Sequence, residues 1–195
     1  MTITAITTSE ITSATTTLDF TLSGDTAAYD EILLTWTGVR GGVDEKILGF
    51  QVVTSGGSLD RPIQSTAHSE WHYAHDYSKG QHYDASRDKN YDATYKFHAL
   101  TEGGDTHKSY SATNGQIRFF KHSDTDFYTF FQINSNVFEA HLSDFQQITF
   151  NWKCAGYVRD TAALTSFRFQ YITYNGDLSG AGDIAKGTFS LYGIS

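Results

Sequence analysis

Histidines crowd one stretch of this chain. His68, His72 and His75 fall within Ser65-Thr66-Ala67-His68-Ser69-Glu70-Trp71-His72-Tyr73-Ala74-His75-Asp76, and His82 follows closely. Three imidazoles beside Asp76 are a donor set suited to zinc or nickel. Their convergence needs a helix, because on a strand His72 and His75 point to opposite faces. Trp71 and Tyr73 favour extended backbone, so the expectation is a solvated run of polar histidines with no metal and no cofactor. Imidazole titrates near neutrality, which leaves a pH-responsive contact as the remaining chemistry.

Aromatic rings share the same stretch. Trp71, Tyr77 and Tyr83 carry flat apolar faces with polar tips, which suit stacking on sugars and equally suit protein interfaces. With His72, His75 and Asp76 as polar partners they form the candidate set for glycan or inter-subunit contact. Tyr91, Tyr95 and Phe97 sit at even spacing and are expected in the core. Aspartates cluster at turns: Asp124 and Asp126, Asp177 and Asp183, and Asp84, Asp88 and Asp92. Calcium needs six to eight oxygens from a compact loop; none of these segments has such a loop pattern, and local turn capping accounts for them.

Motifs of catalysis are missing. There is no Gly-x-Ser-x-Gly elbow, no phosphate-cradling glycine loop and no His-Glu-x-x-His. Glu70, Glu102 and Glu139 could supply a glycosidase pair only at a carboxylate separation that a sequence does not give. The expectation is a protein that is not an enzyme.

The elements that must position these groups are strands. Leu18, Phe20 and Leu22 alternate with polar neighbours, as do Ile32, Leu34 and Trp36, then Ile148, Phe150, Trp152 and Cys154. Ile47 to Val53 is a richer apolar run. Phe167, Phe169 and Tyr171 share a face, and Phe189 and Leu191 face inward near the end. Turn signals such as Ser23-Gly24-Asp25, Ser55-Gly56-Gly57 and Asn175-Gly176-Asp177 divide the runs. This pattern predicts an all-β, antiparallel β-sandwich, jelly-roll-like, with about ten strands including extra edge strands. Residues 1–16, rich in threonine, read as an N-terminal arm or edge strand. Residues 17–195 read as a single domain with one long loop excursion at 64–90, where alternation lapses.

Composition agrees. At 195 residues the chain suits one domain, whose core buries roughly 70% of the unfolded surface. It holds 15% aromatic and only 18% charged residues, with one proline and one methionine, a mix that favours strands over helices. A net charge of −8 argues against nucleic acid as a partner. No apolar run approaches the ~18 residues of a membrane helix. Cys154 is the sole cysteine, so no intrachain disulfide or cysteine-based zinc cage is expected. The start, Met1-Thr2-Ile3-Thr4-Ala5-Ile6, lacks the pattern of a signal peptide.

Two segments carry a resemblance. Tyr29-Asp30-Glu31-Ile32-Leu33-Leu34-Thr35-Trp36-Thr37-Gly38-Val39-Arg40, followed by a strand ending at Thr54-Ser55-Gly56-Gly57, resembles the opening of small virion proteins of tailed bacteriophages. The ending, Lys186-Gly187-Thr188-Phe189-Ser190-Leu191-Tyr192-Gly193-Ile194, resembles the C-terminal strand of the same β-sandwich proteins, described as head decoration, head-fibre or tail-fibre proteins. The likeness covers about residues 18–57 and 145–195. It implies a structural role in a virion, major capsid or tail proteins as partners, self-association (a trimer is one such state) and no catalytic residues. The anchoring domain and helical shaft of a long fibre have no counterpart here, which favours a self-contained decoration or tip module. The second expectation is a tail-fibre tip or adhesin module recognising host surface glycans. A polysaccharide depolymerase ranks third.

Overall fold

In a computed structural model, residues 1–22, 24–43, 46–55, 57, 62–73, 78–83, 98–101, 111–141, 146–173 and 181–195 are described. They form twelve strands: β1 Ile3–Ile11, β2 Leu18–Thr21, β3 Glu31–Gly41, β4 Ile47–Thr54, β5 Ile63–Tyr73, β6 Lys79–Tyr83, β7 His98–Ala99, β8 Ala112–Phe120, β9 Thr129–His141, β10 Gln146–Val158, β11 Leu164–Ile172 and β12 Ile184–Ile194. The helical content of the described residues is one 3-10 turn, Gly24–Ala28.

The wide sheet runs β1-β12-β3-β8-β9-β10-β5-β6 and the narrow sheet β2-β11-β4-β7. All neighbours are antiparallel. The pairs β1 with β12, β2 with β11, β3 with β8 and β4 with β7 nest as the two arms of one long hairpin. Successive pairs fall in alternate sheets, which is the jelly-roll path. Two insertions, β5–β6 and β9–β10, both join the wide sheet beyond β8. The expected sandwich is therefore present, with twelve strands among the described residues where the alternation predicts about ten.

Aromatic side chains join the layers. Phe50 of β4 meets Phe119 of β8 and Phe131 of β9 edge-on, with centroids 6.0 and 5.6 Å apart. Phe119 stacks on Phe167 of β11 at 4.6 Å. Phe169 of β11 lies 5.1 Å from Phe189 of β12. These rings are buried, and each stabilises the fold by about 1.5–3 kcal/mol through area removed from water. Ile32, Leu34, Trp36, Ile148, Trp152, Cys154 and Leu191 of the alternating runs are buried with them, while Leu18 and Phe150 are partly buried.

The loop expected at residues 64–90 needs correction. Its first part is β5, an eleven-residue strand paired along its length with β10, and a later part is β6. The alternation is hidden because the inward positions, Ser65, Ala67 and Ser69, are small or polar though buried. They are small because their neighbour is large: Ser69 and Ser135 are the cross-strand partners of the buried Trp152, and a close-packed interior balances volumes across strands. Residues 74–77 and 84–90, with His75, Asp76 and Tyr77, lie outside the described residues, as do Tyr91, Tyr95 and Phe97. Residues 1–16 include β1, which forms one edge of the wide sheet.

Candidate functional site

The inserted strands give the wide sheet an outer face that β1, β12 and β3 alone would not provide. Side chains alternate, and the register sets those of the outer face in rows across β8, β9, β10, β5 and β6. One row is Phe120, Phe130, Tyr157 and Gln64; the next is Arg118, Gln132, Ala155 and Thr66. Then come Gln116, Asn134, Lys153, His68 and Tyr83, followed by Asn114, Asn136, Asn151, Glu70 and Gln81. Phe138, Thr149, His72 and Lys79 follow. An aromatic row thus borders amide and charged rows.

A trough of about 490 Å³ crosses the middle rows, between Arg118 and Gln132 on one side and His68, Tyr83 and Lys153 on the other. It continues into a second space of about 420 Å³ bounded by Phe120, Phe130 and Tyr157, and the two share Thr66, Gln132 and Ala155. The depression exists because Ala155 and Thr66 are short where their row neighbours are long. A third space, about 600 Å³, lies beside Glu70, His72, Lys79 and Asn151.

Ion pairs, hydrogen bonds and ring contacts fix several side chains of this face. Arg118 Nε donates to Glu31 Oε2, and its guanidinium lies 5.4 Å from the Phe120 ring. Lys153 Nζ is 4.0 Å from Glu70 Oε1, which also accepts from Gln81 Nε2 at 3.3 Å. Tyr157 Oη donates to Gln64 Oε1 at 2.6 Å, and its ring stacks on Tyr128 at 5.3 Å with planes 6° apart. Phe130 is 48% exposed and Tyr83 58%.

The candidate residues read from the sequence are divided by this geometry. His68, His72 and Tyr83 share the outer face. Trp71 lies on the opposite side, with its ring over Gly80, where a Cβ would approach it to 2.6 Å. The Trp71 and His72 side chains therefore point to opposite faces of β5, although both residues border the third space. His68 and His72 stand four residues apart on one strand, about 13 Å, and no cluster of three metal-binding side chains occurs among the described residues. Asp124 caps its own turn, accepting from Asp126 N at 2.8 Å. Arg118, Gln132, Lys153, Phe130 and Tyr157 were not singled out by sequence. The signal that could have found them is Gln132-Asn134-Asn136 and Asn151-Lys153, amides and a cation at period two on the solvent face of neighbouring strands.

A second grouping lies inside the sandwich. Ser65 Oγ is 2.6 Å from His98 Nε2, Cys154 Sγ is 3.7 Å from the same nitrogen, and His98 Nδ1 is 2.7 Å from Ala99 O. All three side chains are buried, and the imidazole is flanked by Phe50 and Phe131 at 5.5 and 5.6 Å. The rings make this a satisfied polar knot in the core. His122 is a separate buried imidazole: Nε2 donates to Thr26 O at 3.0 Å, and Nδ1 has no hydrogen-bond partner among the described residues. Burial holds its pKa below the ordinary value, partly opposed by the bond to Thr26.

With this geometry in hand, comparison with family models, curated proteins and solved structures finds no match to the chain. The class rests on the fold: an antiparallel jelly roll whose wide sheet presents a polar and aromatic outer face.

Proposed function

We propose that this chain is a non-enzymatic structural protein of a tailed-bacteriophage virion, a capsid decoration or head-fibre protein carried on the particle surface. The observation that carries the reading is the place of the segment that resembles such proteins. Lys186–Ile194 lies in β12, the strand that closes the roll between β1 and β3. Its glycines answer to packing: Gly187 has φ +142° and stands against Val39, and a Cβ at Gly193 would meet the Tyr29 ring at 2.3 Å. The likeness therefore sits in the strand on which the fold turns, and jelly rolls are an architecture of viral capsid domains.

The free edge supports docking as well. Among the described residues β1 pairs with β12 alone, and most of its side chains are exposed. An unpaired edge can accept a strand from a neighbour, which suits assembly with capsid or tail proteins or with further copies of the chain. Quantitative mass spectrometry of particles purified by density gradient tests the proposal. The chain should co-purify in a fixed ratio to the major capsid protein; recovery only in the soluble fraction would reject it.

A further inference from the structure

We infer that the outer face of β8, β9, β10 and β5 is a binding site for an anionic polysaccharide, one bearing carboxylate or sulfate groups. The argument begins with charge. The chain has 22 acidic and 14 basic residues, yet among the described residues no acidic side chain lines the joined troughs, whereas Arg118, Lys153 and His68 do, with Glu31 and Glu70 paired to the first two from outside them. Clustering of cations in an acidic protein focuses attraction for anions at that place and repels them elsewhere.

The second strand of the argument is hydrogen bonding. The side-chain amides of Gln116, Gln132 and Asn134 border the trough and make no hydrogen bond among the described residues. Asn114 and Asn136, outside it, bond to each other at 3.2 Å. Amides with both donor and acceptor unused match sugar hydroxyls, which also donate and accept. Gln116 on β8 stands opposite Asn134 on β9, about 4.8 Å away, and Gln132 lies two residues along β9, about 7 Å from Asn134, a spread that serves a polymer better than a single small anion.

Third, the aromatic row supplies stacking surfaces. Phe130 is 48% exposed beside Tyr157, at 5.9 Å between centroids. Rings at the end of a cationic, amide-lined trough provide an apolar surface for the C–H face of a sugar. The joined space is larger than a single ion requires. An acidic peptide would also use the cations, and its backbone pairs with amides as sugar hydroxyls do, so poly-glutamate serves as the competing probe.

Binding by the full chain to four probes tests this: polygalacturonate, dextran sulfate, unsubstituted dextran and poly-glutamate, at fixed salt. Polygalacturonate or dextran sulfate should bind saturably, the preferred one naming the anion, with dextran and poly-glutamate at least about tenfold weaker. Lys153→Gln, Arg118→Gln and Phe130→Ala should each weaken binding by about tenfold, as contact residues do. Lys186→Gln, a charge-matched change on β12, should not. Glu70→Gln removes the carboxylate beside Lys153 and should tighten binding. Far-ultraviolet circular dichroism checks that each variant is folded. Absence of saturable binding to both anionic sugars overturns the inference. So does equal binding of poly-glutamate, or equal loss on Lys186→Gln. The inference is independent of virion location, since a chain absent from particles could still bind these sugars.

Discussion

Ser65 Oγ lies 2.6 Å from His98 Nε2 inside the sandwich. Because a carbonyl oxygen only accepts, the contact of Nδ1 with Ala99 O places a proton on Nδ1, and in that tautomer Nε2 accepts from the serine hydroxyl. This is the geometry of a nucleophile and its base, but both side chains are buried and aromatic rings flank the imidazole. The pair lets β5 carry a polar residue inward and ties it to β7 of the other sheet.

Ser65→Ala should therefore destabilise the protein by about 1–3 kcal/mol, the cost of removing a buried imidazole's partner. The double variant Ser65→Ala/His98→Phe should lose less than the sum of the two single losses. Urea unfolding followed by tryptophan fluorescence measures both. A fluorophosphonate probe should leave Ser65 unlabelled in the folded protein.

His122 predicts the pH response. Its pKa is lowered in the folded protein from 6.5, first by burial. The unfolded chain thus binds more protons than the folded one below that pH, and stability falls with acidification. The contribution is fully present above 6.5 and is lost as pH drops toward the folded value, at no more than about 1.4 kcal/mol per pH unit. Urea midpoints measured at about pH 7.5 and about pH 5.5 should differ more for the parent than for His122→Gln.

Legibility of the fold followed side-chain contrast. Ile148, Trp152 and Cys154 on one face against Asn151 and Lys153 on the other made β10 readable, and the structure buries that first set. Over Ser65, Ala67 and Ser69 the contrast vanishes, since the inward residues are small to accommodate Trp152, and the sequence of β5 looks like a loop. The candidate site was legible in part: His68, His72 and Tyr83 do share a face. Trp71 does not, because an odd step along a strand reverses the side chain. Arg118, Gln132 and Lys153 come from strands distant in sequence, and only the register β8-β9-β10-β5 brings them together.

The two sides of the wide sheet should differ sharply in mutational cost. Phe119, fully buried and stacked on Phe167, should lose about 3–5 kcal/mol on Phe119→Ala. Phe130, on the outer face, should lose about 1 kcal/mol or less on Phe130→Ala. Equilibrium denaturation of both variants measures the contrast.

Gly187 and Gly193 give the same test for the closing strand. Gly187→Ala puts a Cβ 2.5 Å from Val39 at a backbone angle that disfavours side chains, and should cost about 1–3 kcal/mol. Gly193→Ala places its methyl against Tyr29 and should cost a similar amount. Thermal unfolding by circular dichroism compares the two with the parent.

Cryo-electron microscopy of the purified particle is the most direct measurement of the central claim. The account predicts external density that fits an eight-over-four jelly roll, with the β1 edge against a neighbour and the outer face of β8, β9, β10 and β5 turned to solvent. Particles without such density, and without this chain in their protein content, would contradict it.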